Sequence, residues 1–71
     1  MKTTKYFASQ NFPNHQMREA VNDATSLRDT FLVENKNLID EIDCEDIKIE
    51  SNQNYAFAVI KLSYYPTKEN E

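Results

Sequence analysis

The chain contains no glycine at all. Loops that cradle phosphate depend on glycine, because a residue without Cβ lets the backbone come close to the anion. P-loop and dinucleotide-binding fingerprints are therefore excluded by composition. Cysteine is nearly as scarce: Cys44 stands alone, so no internal disulfide can form, and a single thiol fits a reducing compartment. With one Cys and one His (His15) far apart in sequence, soft metal ligands are almost missing, and neither a metal nor another cofactor is expected. No apolar run approaches the roughly 20 residues that cross a bilayer. Residues 1–7 carry two lysines with no apolar stretch behind them, which is not a signal-peptide pattern. No membrane partner and a cytoplasmic location are expected. Basic charge is short as well: eight Lys and Arg face twelve Asp and Glu, for a net charge of −4. Nucleic-acid-binding domains show the opposite balance, so no nucleic-acid partner is expected.

What is present fits one domain over residues 1–71. A chain of this length buries only roughly 60% of its unfolded surface, and small folds add a staple to compensate. Without a disulfide or a metal, that staple is association with another chain, and a homo-oligomer is expected.

Residues 3–8, with Thr3, Thr4, Tyr6 and Phe7, read as a short strand of β-branched and aromatic residues. Pro13 disfavours helix at Phe12, and Asn14 is placed to cap the helix that follows. From His15 the period changes. Met17, Ala20, Val21, Ala24, Leu27 and Phe31 recur at intervals of three and four, one face of an amphipathic helix. Asn35 and Asn37 flank its expected end. In the absence of glycine, asparagine is expected to take the left-handed backbone positions at helix ends and turns. Residues 38–46 are open between helix, strand and loop: Leu38, Ile39 and Ile42 keep helical spacing. Ile47 and Ile49 alternate with Lys48 and Glu50 as in a half-buried strand. Ser51, Asn52, Gln53 and Asn54 form a polar turn. The run from Tyr55 to Tyr65 is apolar on both parities, as in a central strand or one with a second surface to cover. Pro66 ends it, and residues 66–71 read as a loose tail. The expected fold is α+β, a small β-α-β-β domain with an antiparallel three-stranded sheet and one amphipathic helix on one face. One helix covers one face only, so the other face of the last strand is left for a partner.

The densest chemical feature is Asp40, Glu41, Asp43, Glu45 and Asp46, five carboxylates in seven residues. The alternating ligands, central glycine and distal glutamate of a calcium loop do not fit this spacing. The segment reads either as a solvated, charge-bearing stretch or as a surface for a basic partner. Cys44 sits among these carboxylates, which oppose thiolate formation, and reads as a half-buried structural residue. His15 reads as a polar surface residue near the helix start. Most aromatic rings belong to the core; Tyr64 and Tyr65 are the candidate interface rings, since tyrosine combines rigid contact area with a polar tip. No set of residues specifies an active site, and the protein is expected not to be an enzyme.

The succession Met17-Arg18-Glu19-Ala20-Val21-Asn22, Ile47-Lys48-Ile49, Tyr55-Ala56-Phe57-Ala58-Val59-Ile60 and Tyr64-Tyr65 resembles a family of very short Bacillus sporulation-associated proteins, also found in prophages. That family carries an E-x-x-[IV]-N helix, a D-I-K-like strand and an F-[SA]-x-x-I-x-Y strand; Glu19 and Asn22 match with altered spacing. The resemblance implies the β-α-β-β order and a Gram-positive or phage setting, and it transfers no catalytic residue.

Two functions follow as expectations. The first is a small binding protein acting by protein–protein contact, such as a phage-encoded inhibitor of a host protein, through Asp40, Glu41, Asp43, Glu45, Asp46, Tyr64 and Tyr65. The second is a homo-oligomeric binder of a small ligand such as a nucleotide, held by Lys5, Arg18 and Lys61.

Overall fold

The computed structural model describes residues 1–67 of the chain. Its elements are β1 (Thr3–Ala8), β2 (Phe12–Pro13), a 3-10 turn (Asn14–Gln16), α1 (Met17–Glu34), a second 3-10 turn (Lys36–Leu38), β3 (Ile39–Ser51) and β4 (Tyr55–Pro66). All pairing is antiparallel and centred on β4. β3 runs along one edge of β4 for its whole length, while β1 and β2 follow one another along the other edge, so four strands make a sheet three strands wide. With α1 on one face this is the expected α+β arrangement.

The short β2 was not foreseen. Phe12 and Pro13 pair with Ala56 and Tyr55, where an outer strand tolerates a residue that lacks an N–H. Ser9 bridges the gap between β1 and β2. Its N–H donates to the Ala58 carbonyl at 2.8 Å, and its Oγ accepts the Ala58 N–H at 2.9 Å, taking the place of a backbone acceptor. Ala58 is fully buried, so Ser9→Ala orphans that N–H. We expect a loss of about 1–3 kcal/mol, measured by urea unfolding with an unchanged circular dichroism spectrum.

The helix packs along β4, β1 and β2. At about 1.5 Å per residue its 18 residues span about 27 Å, which matches β4 from Ala56 to Tyr64 at about 3.3 Å per residue. Contact is made by small side chains: Ala20 and Ala24 of α1 meet Ala58 and Ile60 of β4, with Phe7, Phe12 and Val21 packed around them. At the far end Phe31 stacks between Phe7 (5.4 Å) and Tyr64 (5.8 Å), and the Lys5 ammonium lies 5.7 Å above its ring. The core is thin. Among the described residues only Ile60 and Leu62 are large side chains with essentially no exposure, and four of the seven buried apolar ones are alanines.

The turns correct one expectation. No described residue has a positive φ, so asparagine does not stand in for glycine by adopting left-handed backbone. It works through its side chain instead. Asn52 Oδ1 accepts the N–H groups of Asn54 (2.8 Å) and Tyr55 (2.9 Å), closing the β3–β4 hairpin. Asn35 ends α1, with its backbone N–H and its Nδ2 both donating to the Phe31 carbonyl. Asn14 does not cap the helix: the cap position is Gln16, without a side-chain bond, and Asn14 Nδ2 donates to the Asn52 carbonyl. This ties the start of the helical region to the hairpin turn.

β3 settles residues 38–46. Helical geometry stops at Leu38, and the acidic segment is strand. Register shifts between Ile39 and Glu41 and between Ile42 and Cys44 place Asp40 and Asp43 at irregularities, whereas residues 44–51 pair without interruption. Pro66 is the last residue of β4, and the Thr67 N–H donates to the Leu38 carbonyl. The expectation of a loose tail falls mainly on residues 68–71, outside the described residues. No described helix is long and apolar enough to cross a membrane.

Candidate interaction surface

The two parities of β4 part company across the sheet. Ala56, Ala58, Ile60, Leu62 and Tyr64 turn toward α1 and are buried. Tyr55, Phe57, Val59 and Lys61 alternate with them and turn to the face that no described element covers. Register sets their neighbours: Tyr6 and Asp46 flank Lys61, Lys48 lies beside Val59, and Glu50 beside Phe57. The result is an open trough of about 800 Å³ with an apolar floor of Tyr55, Phe57 and Val59. Tyr6, Lys61, Asp46, Lys48 and Glu50 stand around it.

Charge around the trough alternates in sign. Lys48 Nζ lies 3.2 Å from Glu50 Oε1 on the same strand. Lys61, opposite Asp46 in register, makes no ion pair with any described residue. Tyr6 is 65% exposed, which is a large apolar area for a ring with no covering partner.

The five carboxylates expected to meet a partner all lie on β3, and they differ in their contacts. Asp43 Oδ2 accepts from the Lys2 ammonium at 3.3 Å, and this bond, with the charge of Asp43, raises the Lys2 pKa above the ordinary lysine value. The Lys2 charge that makes this contact is present at neutral pH and is lost as pH rises through that raised value. Glu45 Oε1 accepts from Arg28 Nη1 at 2.7 Å, and Arg28 also donates to Asp29, which raises the guanidinium pKa, Glu45 contributing most. Arg28 thereby ties α1 to the outer strand. Among the described residues Asp40, Glu41 and Asp46 have no such cation.

The two candidate tyrosines separate. Tyr65 shares the uncovered face and is 38% exposed, whereas Tyr64 is 8% exposed beneath Phe31 and belongs to the core. Parity carried that signal, since Tyr64 continues the series Ala56, Ala58, Ile60, Leu62. The three basic residues suggested for a ligand do not converge. Lys5 pairs with Leu62 on the helix side, Lys61 lies in the trough, and Arg18 is on the exposed surface of α1. Cys44, expected to be half-buried, is exposed, because β3 forms the rim of the sheet. His15 is exposed in the 3-10 turn. Among the described residues no three His, Cys, Asp or Glu side chains group as metal ligands.

Tyr6, Phe57 and Val59 were not singled out as contact residues. Their signal was the second apolar parity of β4 together with the odd one out in β1. Comparison with protein-family models, curated proteins and solved structures finds no match for this chain.

Proposed function

We propose that the protein is a non-enzymatic binding module that acts by protein–protein contact through the sheet face opposite α1. One observation carries this reading: Tyr6, Tyr55, Phe57 and Val59 lie side by side on an uncovered face, rimmed by charges. Contiguous apolar area of this kind, with polar residues around it, marks interaction surfaces. Aromatic rings in such a patch supply most of the binding energy, while the charged rim sets orientation. A second copy is one possible cover, since alternating lysines and carboxylates are self-complementary under a two-fold rotation. A phage-encoded inhibitor of a host protein is the setting that the family resemblance suggests for such a module.

Tyr6→Ala tests the proposal with little risk to the fold. The ring is largely exposed, so stability is expected to stay within about 0.5 kcal/mol. Affinity for a protein partner captured on the immobilised chain from a lysate of the cells that carry it should fall about thirtyfold, the effect of losing an interface anchor, as measured by calorimetry. Unchanged affinity removes this face from the interface.

The second reading, a small-ligand binder, is favoured by the trough itself. Its volume of about 800 Å³ falls in the range of small-molecule sites, roughly 300–1,000 Å³, and Lys61 stands beside aromatic rings. A nucleotide that raises the melting temperature in proportion to the logarithm of its concentration would favour this reading.

A further inference from the structure

We propose that the outer edge of β3 docks a basic, extended segment of the protein partner by strand addition, with residues 44–51 as the pairing stretch. The proposal rests on the binding-module reading and adds the mode of contact and the chemistry of the partner.

The backbone comes first. Ala58 spends both its N–H and its C=O on Ser9, on the β1 side of β4. In an antiparallel ladder, residues alternate between bonding one neighbour and bonding the other. Ile49, opposite Ala58, therefore turns its own N–H and C=O outward, and Ile47 and Ser51 share that parity. No described strand pairs with this side of β3. The stretch is regular in register and lies beyond both irregularities at Asp40 and Asp43, so a second strand can follow it without a break.

The side chains supply the second argument. Ile47 and Ile49 pair with Ile60 and Ala58 and so project to the helix side of the sheet. Yet α1 packs over β4, β1 and β2, and the two isoleucines remain 50% and 43% exposed. An added strand would place alternate apolar side chains beside them. The intervening positions of that strand would fall beside Asp46, Lys48 and Glu50 on the other face.

Charge decides which strand. The pairing stretch 44–51 holds Glu45, Asp46 and Glu50 against Lys48, a net −2, and Asp40, Glu41 and Asp43 before it bring β3 to −5. A second copy paired through this edge would set one acidic strand against another, and directly opposed like charges are destabilising. A partner segment alternating basic and apolar residues meets Asp46, Glu50 and the isoleucines, and the one like charge beside it, Lys48, is already paired with Glu50. This is strand addition, in which main-chain bonds give affinity and alternate side chains give specificity.

An alternating lysine–valine octapeptide with blocked ends is the probe, with two controls. One carries the same residues as a lysine block followed by a valine block, and the other is methylated at alternate backbone nitrogens. The alternating peptide should bind and slow amide exchange at Ile47 and Ile49 at least tenfold, as followed by NMR. Both controls should bind at least tenfold more weakly. Ile49→Pro removes one outward donor at an edge position where proline is tolerated, and should weaken peptide binding at least tenfold. Should that variant not fold, the exchange pattern of the unaltered protein decides alone. Absence of binding, or equal binding of the block peptide with exchange at Ile47 and Ile49 unchanged, overturns strand addition. The binding-module reading is judged separately, by the effect of Tyr6→Ala on the captured partner.

Discussion

Leu62→Ala is expected to remove about 2–5 kcal/mol of stability, the range for truncating a fully buried leucine. At roughly 0.05–0.15 kcal/mol per residue, a chain of this length has about 4–11 kcal/mol in total, so one substitution takes a large fraction. The melting temperature should fall by roughly 10–30 °C. The physical cause is the shape of the core. Ala20, Ala24, Ala56 and Ala58 bring α1 close to β4 but bury little area each, leaving Ile60 and Leu62 as the large, fully enclosed side chains. Ile60→Val, which deletes one methylene, should cost only about 0.5–1.5 kcal/mol. Thermal unfolding followed by circular dichroism reads both. A Leu62→Ala protein as stable as the parent would mean that the core lies elsewhere.

Reversing Asp46 and Glu50 together to lysine is expected to lower affinity for a protein partner at least tenfold, mainly through slower association. Both residues flank the trough and the outer edge of β3, so either mode of contact feels the change. Stability should fall by about 0.5–2 kcal/mol, because the reversals set cations opposite Lys61 and beside Lys48. The difference between variant and parent should shrink as salt approaches about 1 M, where charges are screened beyond roughly 3 Å. Surface plasmon resonance against the captured partner gives both rates. Glu45 is a poorer choice for reversal, since Glu45→Lys sets a cation against Arg28 and loosens the tie between α1 and β3. Binding that survives the double reversal at low salt would show that the partner does not approach from the β3 side.

The periodicity of Met17, Ala20, Val21, Ala24 and Phe31 made α1 legible, and the double apolar parity of the last strand gave both its central position and its uncovered face. The strand character of residues 39–46 was not legible, for two reasons. Asp and Glu are depleted in strands, so five carboxylates argue against one locally, whereas here the long β4 supplies a template that outweighs that preference. The irregularities at Asp40 and Asp43 also break the alternation. Ile42 and Ile47 are an odd number of residues apart, yet both project to the helix side, opposite Tyr64 and Ile60. A bulge that changes parity hides a strand from any count of alternate residues. Asparagine was correctly weighted as the turn residue but for the wrong reason: at Asn52 its side-chain oxygen, and not its backbone, makes the turn.

The candidate surface followed the same division. That one face would be left open came from counting one helix against a two-faced strand. Parity within β4 separated Tyr65 from Tyr64, and the position of α1 decided that Tyr65 lies on the open face and Tyr64 in the core. Register put Tyr6 beside Lys61, and Lys5 on the other side of the sheet.

Site-specific photo-crosslinking in the cells that carry the protein tests the proposed interface most directly. A benzophenone amino acid replaces Tyr6 or Lys48 on the open face, and Asn22 or Ser26 on the exposed surface of α1. The expected result is an adduct of one defined mass from Tyr6 and Lys48 and none from the helix positions. An adduct of twice the chain's own mass would identify the partner as a second copy. Adducts from the helix positions alone, or none from the sheet face, would contradict the proposal that this face is where the protein does its work.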